Sequence, residues 1–211
     1  MKSTQLKKIS IPISDEDICG LTIGDSVLLS GTMITGRDTV HKWFKDTFIA
    51  KTAPKSASDQ AIHAELEKIL YDGVIYHCGP VVSGLEDKNY AFVAAGPTTS
   101  IREEVYQSDV MHHFHLKGVI GKGGMGLKTL AACQDIPAIY FHAIGGAASL
   151  IAESVKKVLG VYKLEFGVPE AIWVINVEDF PAVVTMDSHG NSLHETVQKE
   201  SLNKLAFLLA K

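Results

Sequence analysis

Three short glycine-rich turns constrain this chain more than any other feature: Gly96-Pro97-Thr98-Thr99-Ser100, Gly121-Lys122-Gly123-Gly124-Met125-Gly126 and Gly145-Gly146-Ala147-Ala148. Each follows a run of strand character and precedes one of helical character. The pattern predicts strands over 118–120 and 137–143 and helices over 101–113, 127–134 and 147–159. Strands alternating with helices in this way build an α/β core with parallel strand pairs. A turn that opens a helix also exposes unpaired backbone N–H groups at the positive end of the helix dipole, which favours an anion. With Arg102 and Lys122 in or just beyond two of the turns, the expected ligand is a small carboxylate or phosphate.

The 211 residues are enough for one domain with a sizeable core. Residues 25–35 form a β-rich run whose Gly31 predicts a bulge or bend. A helix is expected over 38–48, a polar loop with Pro54 over 51–60, and a short amphipathic helix over 60–70. Strands over 74–82 and 90–95, separated by the turn-forming 83–89, read as a hairpin. Two later strands are expected at 171–177 and 182–186, the second after Phe180-Pro181, with a closing helix at 202–209.

Net charge of −4 argues against a nucleic-acid binder, because phosphate-backbone affinity rests on clustered cations. Met1 to Lys8 are followed by Ile-Ser-Ile-Pro, with no long apolar run, so the expectation is a soluble cytoplasmic protein without leader or membrane anchor. Cys19, Cys78 and Cys133 lie more than fifty residues apart with no Cys-x-x-Cys pair; they read as reduced thiols, and no metal ligand is assigned. The run His112-His113-Phe114-His115 reads as a helix end, and Asp187-Ser188-His189-Gly190-Asn191 as a turn.

Gly121 to Gly126 satisfies the G-x-G-x-x-G dinucleotide pattern. The next strand, however, closes His142-Ala143-Ile144-Gly145-Gly146 and supplies no acid for a ribose hydroxyl. A Walker loop fails too, since neither Ser nor Thr follows Lys122. Ser100 is the expected helix N-cap, with Glu103 completing a capping box, which leaves Thr98 and Thr99 without a purely structural task. A cation at Arg102 is poorly placed near a helix start, so it marks either an anionic ligand or a solvated or ion-paired arginine. Arg37 is expected to pair with Asp38 or solvent, and His41 to be oriented by Asp38.

Taken in order, Ser30-Gly31-Thr32, Thr35-Gly36-Arg37-Asp38, His41-Lys42, Gly96-Pro97-Thr98-Thr99-Ser100-Ile101-Arg102, Ile120-Gly121-Lys122-Gly123-Gly124-Met125, Gly145-Gly146-Ala147-Ala148 and Glu178-Asp179-Phe180-Pro181 resemble the β subunit of class I fumarate hydratases and L(+)-tartrate dehydratases. The resemblance runs from about residue 10 to 195. It implies an α/β fold of the swivelling β/β/α kind with a mixed sheet, equivalent to the C-terminal part of single-chain enzymes. It also implies a [4Fe-4S]-dependent hydro-lyase whose cluster is ligated by a partner α subunit, in an α2β2 assembly acting on a C4 dicarboxylate.

Carried over position by position, the resemblance makes Arg37 and Arg102 binders of substrate carboxylates, with Thr99 and Gly121 completing the binding set. It makes Lys122 a group that binds or polarises the substrate, and Thr98 part of the proton-transfer machinery. Fumarate is the first expected substrate and L-tartrate the second; a non-catalytic anion-binding module is the competing class. Two departures bear on substrate identity: Glu103 where the family commonly has Met, and the polar stretch near 51–60.

Overall fold

The computed structural model describes residues 6–210, so the first five residues of the N-terminal segment read above lie outside the described part. Strand β1 (Lys7–Ile11) leads into the short helix α1 (Asp15–Cys19), whose cap Ser14 accepts from Asp17 N–H. After β2 (Ser26–Thr35) come α2 (Asp38–Phe44), a π-helical turn (Lys45–Ile49) and α3 (Ala57–Leu70). Ser56 and Asp59 form a reciprocal capping box that starts α3 inside the stretch expected to be loop. Strand β3 (Val74–Tyr76), the hairpin of β4 (Val81–Ser83) and β5 (Ala91–Ala94), and α4 (Glu104–Phe114) follow, then β6 (Gly118–Gly121), α5 (Leu127–Asp135) and β7 (Ile139–His142). The chain finishes with α6 (Ala148–Ala152), β8 (Val155–Tyr162), β9 (Ile172–Met186) and α7 (Leu193–Leu209).

The main sheet has the order β1-β2-β3-β6-β7-β9-β8. The first five strands run parallel, while β9 is antiparallel to β7, β8 and also β2. Because β9 bonds to both β2 and β7, the strands β2, β3, β6, β7 and β9 close into a ring. The result is a mixed α/β fold with a mixed sheet.

Strand periodicity sorts neighbouring side chains onto two faces. Ile34, Ile75, Val119 and Tyr140 pack with Phe44, Leu66, Val110, Phe114 and Leu130 of the helical layer. Met33, Tyr76, Ile120 and Phe141 pack instead with Ile9, Trp173, Phe180 and the hairpin residue Phe92. Among the described residues no helix is long and apolar enough to cross a membrane.

Four sequence expectations change. Residues 155–162 form β8 rather than the end of a helix, because β-branched Val155, Val158 and Val161 pair against β9; α6 stops at Ala152. The expected pair of late strands is one strand, β9, running through Pro181 opposite Leu28. Between Gly31 and Leu29 of β2 the register on β9 jumps from Val177 to Phe180, and the one extra residue is absorbed at the bend that includes Asp179 (φ 51°), whose N–H donates to Ser30 Oγ at 2.9 Å. Residues 74–82 divide: β3 enters the parallel sheet, and only β4 joins the hairpin. Ser100 does not cap a helix.

Candidate active site

Parallel sheets bind ligands beyond the carboxyl ends of their strands, and Arg37, Lys122 and Gly145 fall there, with Arg102 in the 3-10 turn Ser100–Glu103. Arg37 follows β2, Cys78 and Gly79 follow β3, Lys122 follows β6, and Gly145 follows β7. The Thr98–Ser100 segment is stitched into this edge. Thr98 N–H donates to His77 O (2.7 Å), Lys122 N–H to Thr98 O (3.2 Å) and Ser100 N–H to Lys122 O (3.0 Å). Thr98, Thr99, Gly121 and Lys122 are thus held together by backbone, and a Cβ on Gly145 would stand 3.6 Å from Lys122 Cδ.

Arg37 lies across Gly79, where an added Cβ would come within 2.4 Å of its Nη1. Its ion-pair partner is Glu170 at 3.2 Å, not Asp38. Gly79→Ala is expected to push the guanidinium aside and weaken anion binding with a small fall in melting temperature, because the closest atoms struck belong to the flexible Arg37 side chain while Pro169 O, at 3.1 Å, must give only slightly. Titration of the purified chain with a C4 dicarboxylate checks this; unaltered affinity counts against Arg37 as a binding group.

Among the described residues, Arg102 and Lys122 make no side-chain hydrogen bond or ion pair, and the hydroxyls of Thr98 and Thr99 are likewise unengaged. Two cations and two hydroxyls therefore remain free to meet an anion.

The helix-terminus part of the anion reading is corrected. Glu104 occupies the N-terminus of α5: Gly126, Lys128 and Thr129 N–H donate to its carboxylate at 2.8, 3.0 and 3.3 Å, and the Thr129 hydroxyl at 2.6 Å. Gly126 is needed for that approach, since a Cβ would fall 2.6 Å from Glu104 Oε1. An internal carboxylate already takes the place a phosphate would occupy, which removes the dinucleotide reading of this turn. With Thr98, Ser100 and Lys122 N–H spent on backbone carbonyls, the attraction for an anion comes chiefly from side chains.

The Ser100–Glu103 capping box is corrected as well. Residues Ser100–Glu103 form a 3-10 turn with Thr99 before it and no side-chain cap. Ser100 is buried, and its Oγ accepts from Tyr140 OH at 2.9 Å and lies 2.8 Å from His77 Nδ1. His77 Nε2 and His41 Nε2 approach Gln107 Oε1 at 2.8 and 3.0 Å, while His41 Nδ1 sits 2.8 Å from the Arg37 carbonyl oxygen. His41 is thus bound to Arg37 and Gln107 rather than oriented by Asp38. Burial holds both imidazoles below their ordinary pKa. His77 and Gln107 were not singled out from sequence, since an isolated His after a strand and a Gln inside a helix carry no motif.

Glu103 is 1% exposed with Oε2 unpartnered, and burial raises its carboxyl to about 7 against the pull of Arg37 and Arg102, with Asp38 adding to the rise. The folded chain therefore favours the neutral acid. Stability from this group is present in full below the ordinary value of 4.5 and is lost as pH rises through about 7. Glu103→Gln is expected to raise the melting temperature at pH 8 and to change it little at pH 4; thermal melts at both pH values check the sign.

On the other side of the Gly123 turn opens a groove of about 550 Å³, lined by His142, Thr185, Leu193, His194 and Val197. His194 Nε2 is 3.0 Å from Thr185 Oγ1. Its walls are mostly apolar, and none of the free cations lines it.

The Fumarase C-terminus family model matches residues 1–197. The chain is 48% identical over 198 residues to a putative class I fumarate hydratase of Geobacillus stearothermophilus, which covers 94% of this chain and 35% of that protein. It therefore spans about a third of that relative's length. It is 37% identical over 199 residues to a putative L(+)-tartrate dehydratase subunit beta of Methanocaldococcus jannaschii, covering 93% of this chain and 95% of the relative. Identity is 35% over 190 residues to the L(+)-tartrate dehydratase subunit beta of Escherichia coli K12, with 89% and 87% covered.

Proposed function

The chain belongs to the Fumarase C-terminus family, and from that premise we propose that it is the β subunit of a hydro-lyase interconverting fumarate and (S)-malate. The carrying observation is that Arg37 and Lys122 follow strand ends beside the Thr98–Thr99 segment, with Arg102 in the turn that follows it and, like Arg37, acting on Glu103, while neither Arg102 nor Lys122 forms an ion pair among the described residues. A dicarboxylate needs cations for its two charged ends, and hydration across its double bond develops further charge on one carboxylate. Preorganised donors stabilise such charge more in the transition state than in the ground state. In this reading Arg37 and Arg102 grip the carboxylates, Thr99 and the backbone at Gly121 line the substrate, and Lys122 polarises it. Thr98 moves the proton at the neighbouring carbon, activated by a carboxylate of the partner, because an alcohol is too weak a base unaided.

A [4Fe-4S] cluster does not fit this chain's own donors. Cys78 and Cys133 are buried in the two cores on opposite faces of the sheet, with burial pushing both thiols up to about 12, and Cys19 lies apart at the surface. Three thiols so dispersed cannot converge on one cluster. The proposal therefore assigns the cluster to an α subunit, in an α2β2 assembly within the cytoplasm. The corresponding fold reading is a swivelling β/β/α domain, supported by a helical layer against one face of the closed ring of strands and hairpin residue Phe92 against the other cluster.

Tartrate dehydration is the second reading. It rests on the 37% and 35% identity to two L(+)-tartrate dehydratase β subunits. Co-expression with a cysteine-bearing α chain, anaerobic cluster loading, and assay with fumarate, malate and both tartrate enantiomers test these readings. Fumarate hydration supports the first and tartrate turnover the second; a stable, cluster-loaded complex inert to all four sinks both. The chain purified alone is expected to bind no stoichiometric iron.

A further inference from the structure

Beneath the strand-end cluster lies a buried polar chain whose hydrogen-bond directions can be solved by bookkeeping. It runs Arg37 O, His41, Gln107, His77, Ser100, Tyr140. A carbonyl oxygen only accepts, so the His41 nitrogen 2.8 Å from Arg37 O, Nδ1, carries the hydrogen. Burial disfavours a charged imidazole, which leaves His41 neutral with Nε2 as an acceptor. The group facing Nε2 must then donate. Gln107 is placed with Oε1 at that point, but turning the amide over exchanges its two ends without moving any other atom.

We infer that Gln107 presents its NH2 to His41 and His77 together, fixing both imidazoles as neutral Nδ1–H tautomers and tying the Arg37 segment to the Thr98–Ser100 segment. One amide nitrogen carries two hydrogens, one for each Nε2, at 3.0 and 2.8 Å. His77 then holds its hydrogen on Nδ1 and donates to Ser100 Oγ at 2.8 Å. The opposite amide orientation would leave His41 with Nδ1 against one carbonyl and Nε2 against another, which only a buried imidazolium satisfies. Gln107 also has an enclosed polar atom without a partner, and so does Glu103 one helical turn earlier; the second end of the amide is therefore not committed to any other bond that would fix its orientation. Gln107 is thus a positioning residue. It touches no substrate, but through His41 it holds the carbonyl of Arg37, and through His77 it holds the residue that follows Thr98 and Thr99. Its effect on turnover rests on the hydro-lyase reading, whereas its hydrogen-bond orientation does not.

Long-range proton–nitrogen NMR of the full chain, labelled with 15N at histidine, tests the orientation directly. The expected result at pH 7 is a neutral Nδ1–H tautomer at both His41 and His77. An Nε2–H tautomer at either ring, or an imidazolium at His41, overturns the inference. Gln107→Glu supplies a signature that a space-filling role does not predict. A carboxyl group has at most one hydrogen at that point and cannot serve both rings, so at least one imidazole must change protonation; two unchanged Nδ1–H signals overturn the inference. In the cluster-loaded complex, Gln107→Met is expected to raise KM for the dicarboxylate roughly tenfold while the fold is retained. Unchanged KM and kcat refute the positioning role. A wild-type complex without activity refutes the hydro-lyase reading instead, and the tautomer measurement still decides the orientation.

Discussion

Lys122→Met in the cluster-loaded complex is expected to lower kcat/KM by about a hundredfold or more and to leave the melting temperature close to that of the wild type. Both halves of this expectation come from the same observation. The Lys122 ammonium has no ion-pair or hydrogen-bond partner among the described residues, so its removal breaks no contact inside the chain. Its backbone is another matter, since N–H and C=O bond to Thr98 and Ser100, and methionine keeps those bonds. A preorganised donor aimed at developing charge is typically worth a factor of about a hundred to a thousand in rate. Arg102→Ala should follow the same pattern with a smaller loss, on the order of tenfold, as expected of a charge-assisted contact made in ground and transition states alike. Steady-state kinetics paired with thermal melts checks both variants. A large fall in melting temperature with unaltered kinetics would make either cation a structural residue.

How much of this arrangement the sequence discloses depends on whether the cause is local. Glycine turns after the parallel strands β6 and β7 are local, and they place Lys122 and Gly145 at one sheet edge, whereas Thr98 follows the hairpin strand β5 and reaches that edge through its bonds to His77 and Lys122. Gly31 is legible through its own backbone, whose φ of +134° favours glycine, and the register shift sits there, although the 2.4 Å that would separate a Cβ from Ile11 O is set by the neighbouring strand β1. The misread elements depend on partners distant in the chain. Apolar spacing over 147–159 fits a helix, and only β9 as a neighbour makes 155–162 a strand. Ser100 with Glu103 has the form of a capping box, yet Ser100 is taken by His77 and Tyr140, which lie 23 and 40 residues away. The N-terminus of α5 looks open in sequence because Glu104, which fills it, belongs to the preceding helix. Sequence motifs thus locate the edge where a ligand binds, while tertiary partners determine which of its donors are already spent.

The largest expected loss of stability in this region follows from removing a hydrogen atom in favour of a methyl group. A Cβ on Gly121 would lie 1.8 Å from Ser100 Oγ, 3.1 Å from Tyr140 OH and 3.2 Å from His77 Nδ1. All three neighbours are fully buried, and Gly121 itself lies in β6, bonded in register to β7. Neither the glycine nor its neighbours can withdraw toward solvent. Forcing an extra carbon into such packing costs about 1 to 3 kcal/mol, and expelling Ser100 Oγ leaves His77 and Tyr140 without their partner, at about 1 to 3 kcal/mol more. Gly121→Ala is therefore expected to lose about 3 kcal/mol or more in denaturant unfolding, and to lose activity with it. Deleting the struck atom supplies the decisive control. Ser100→Ala alone destabilises by breaking the two hydrogen bonds, but in the Gly121→Ala background it removes the collision, so the double variant should be more stable than Gly121→Ala alone. Two substitutions whose costs simply add would show that the methyl group meets a different obstacle, and that Gly121 is required for some reason other than its approach to Ser100.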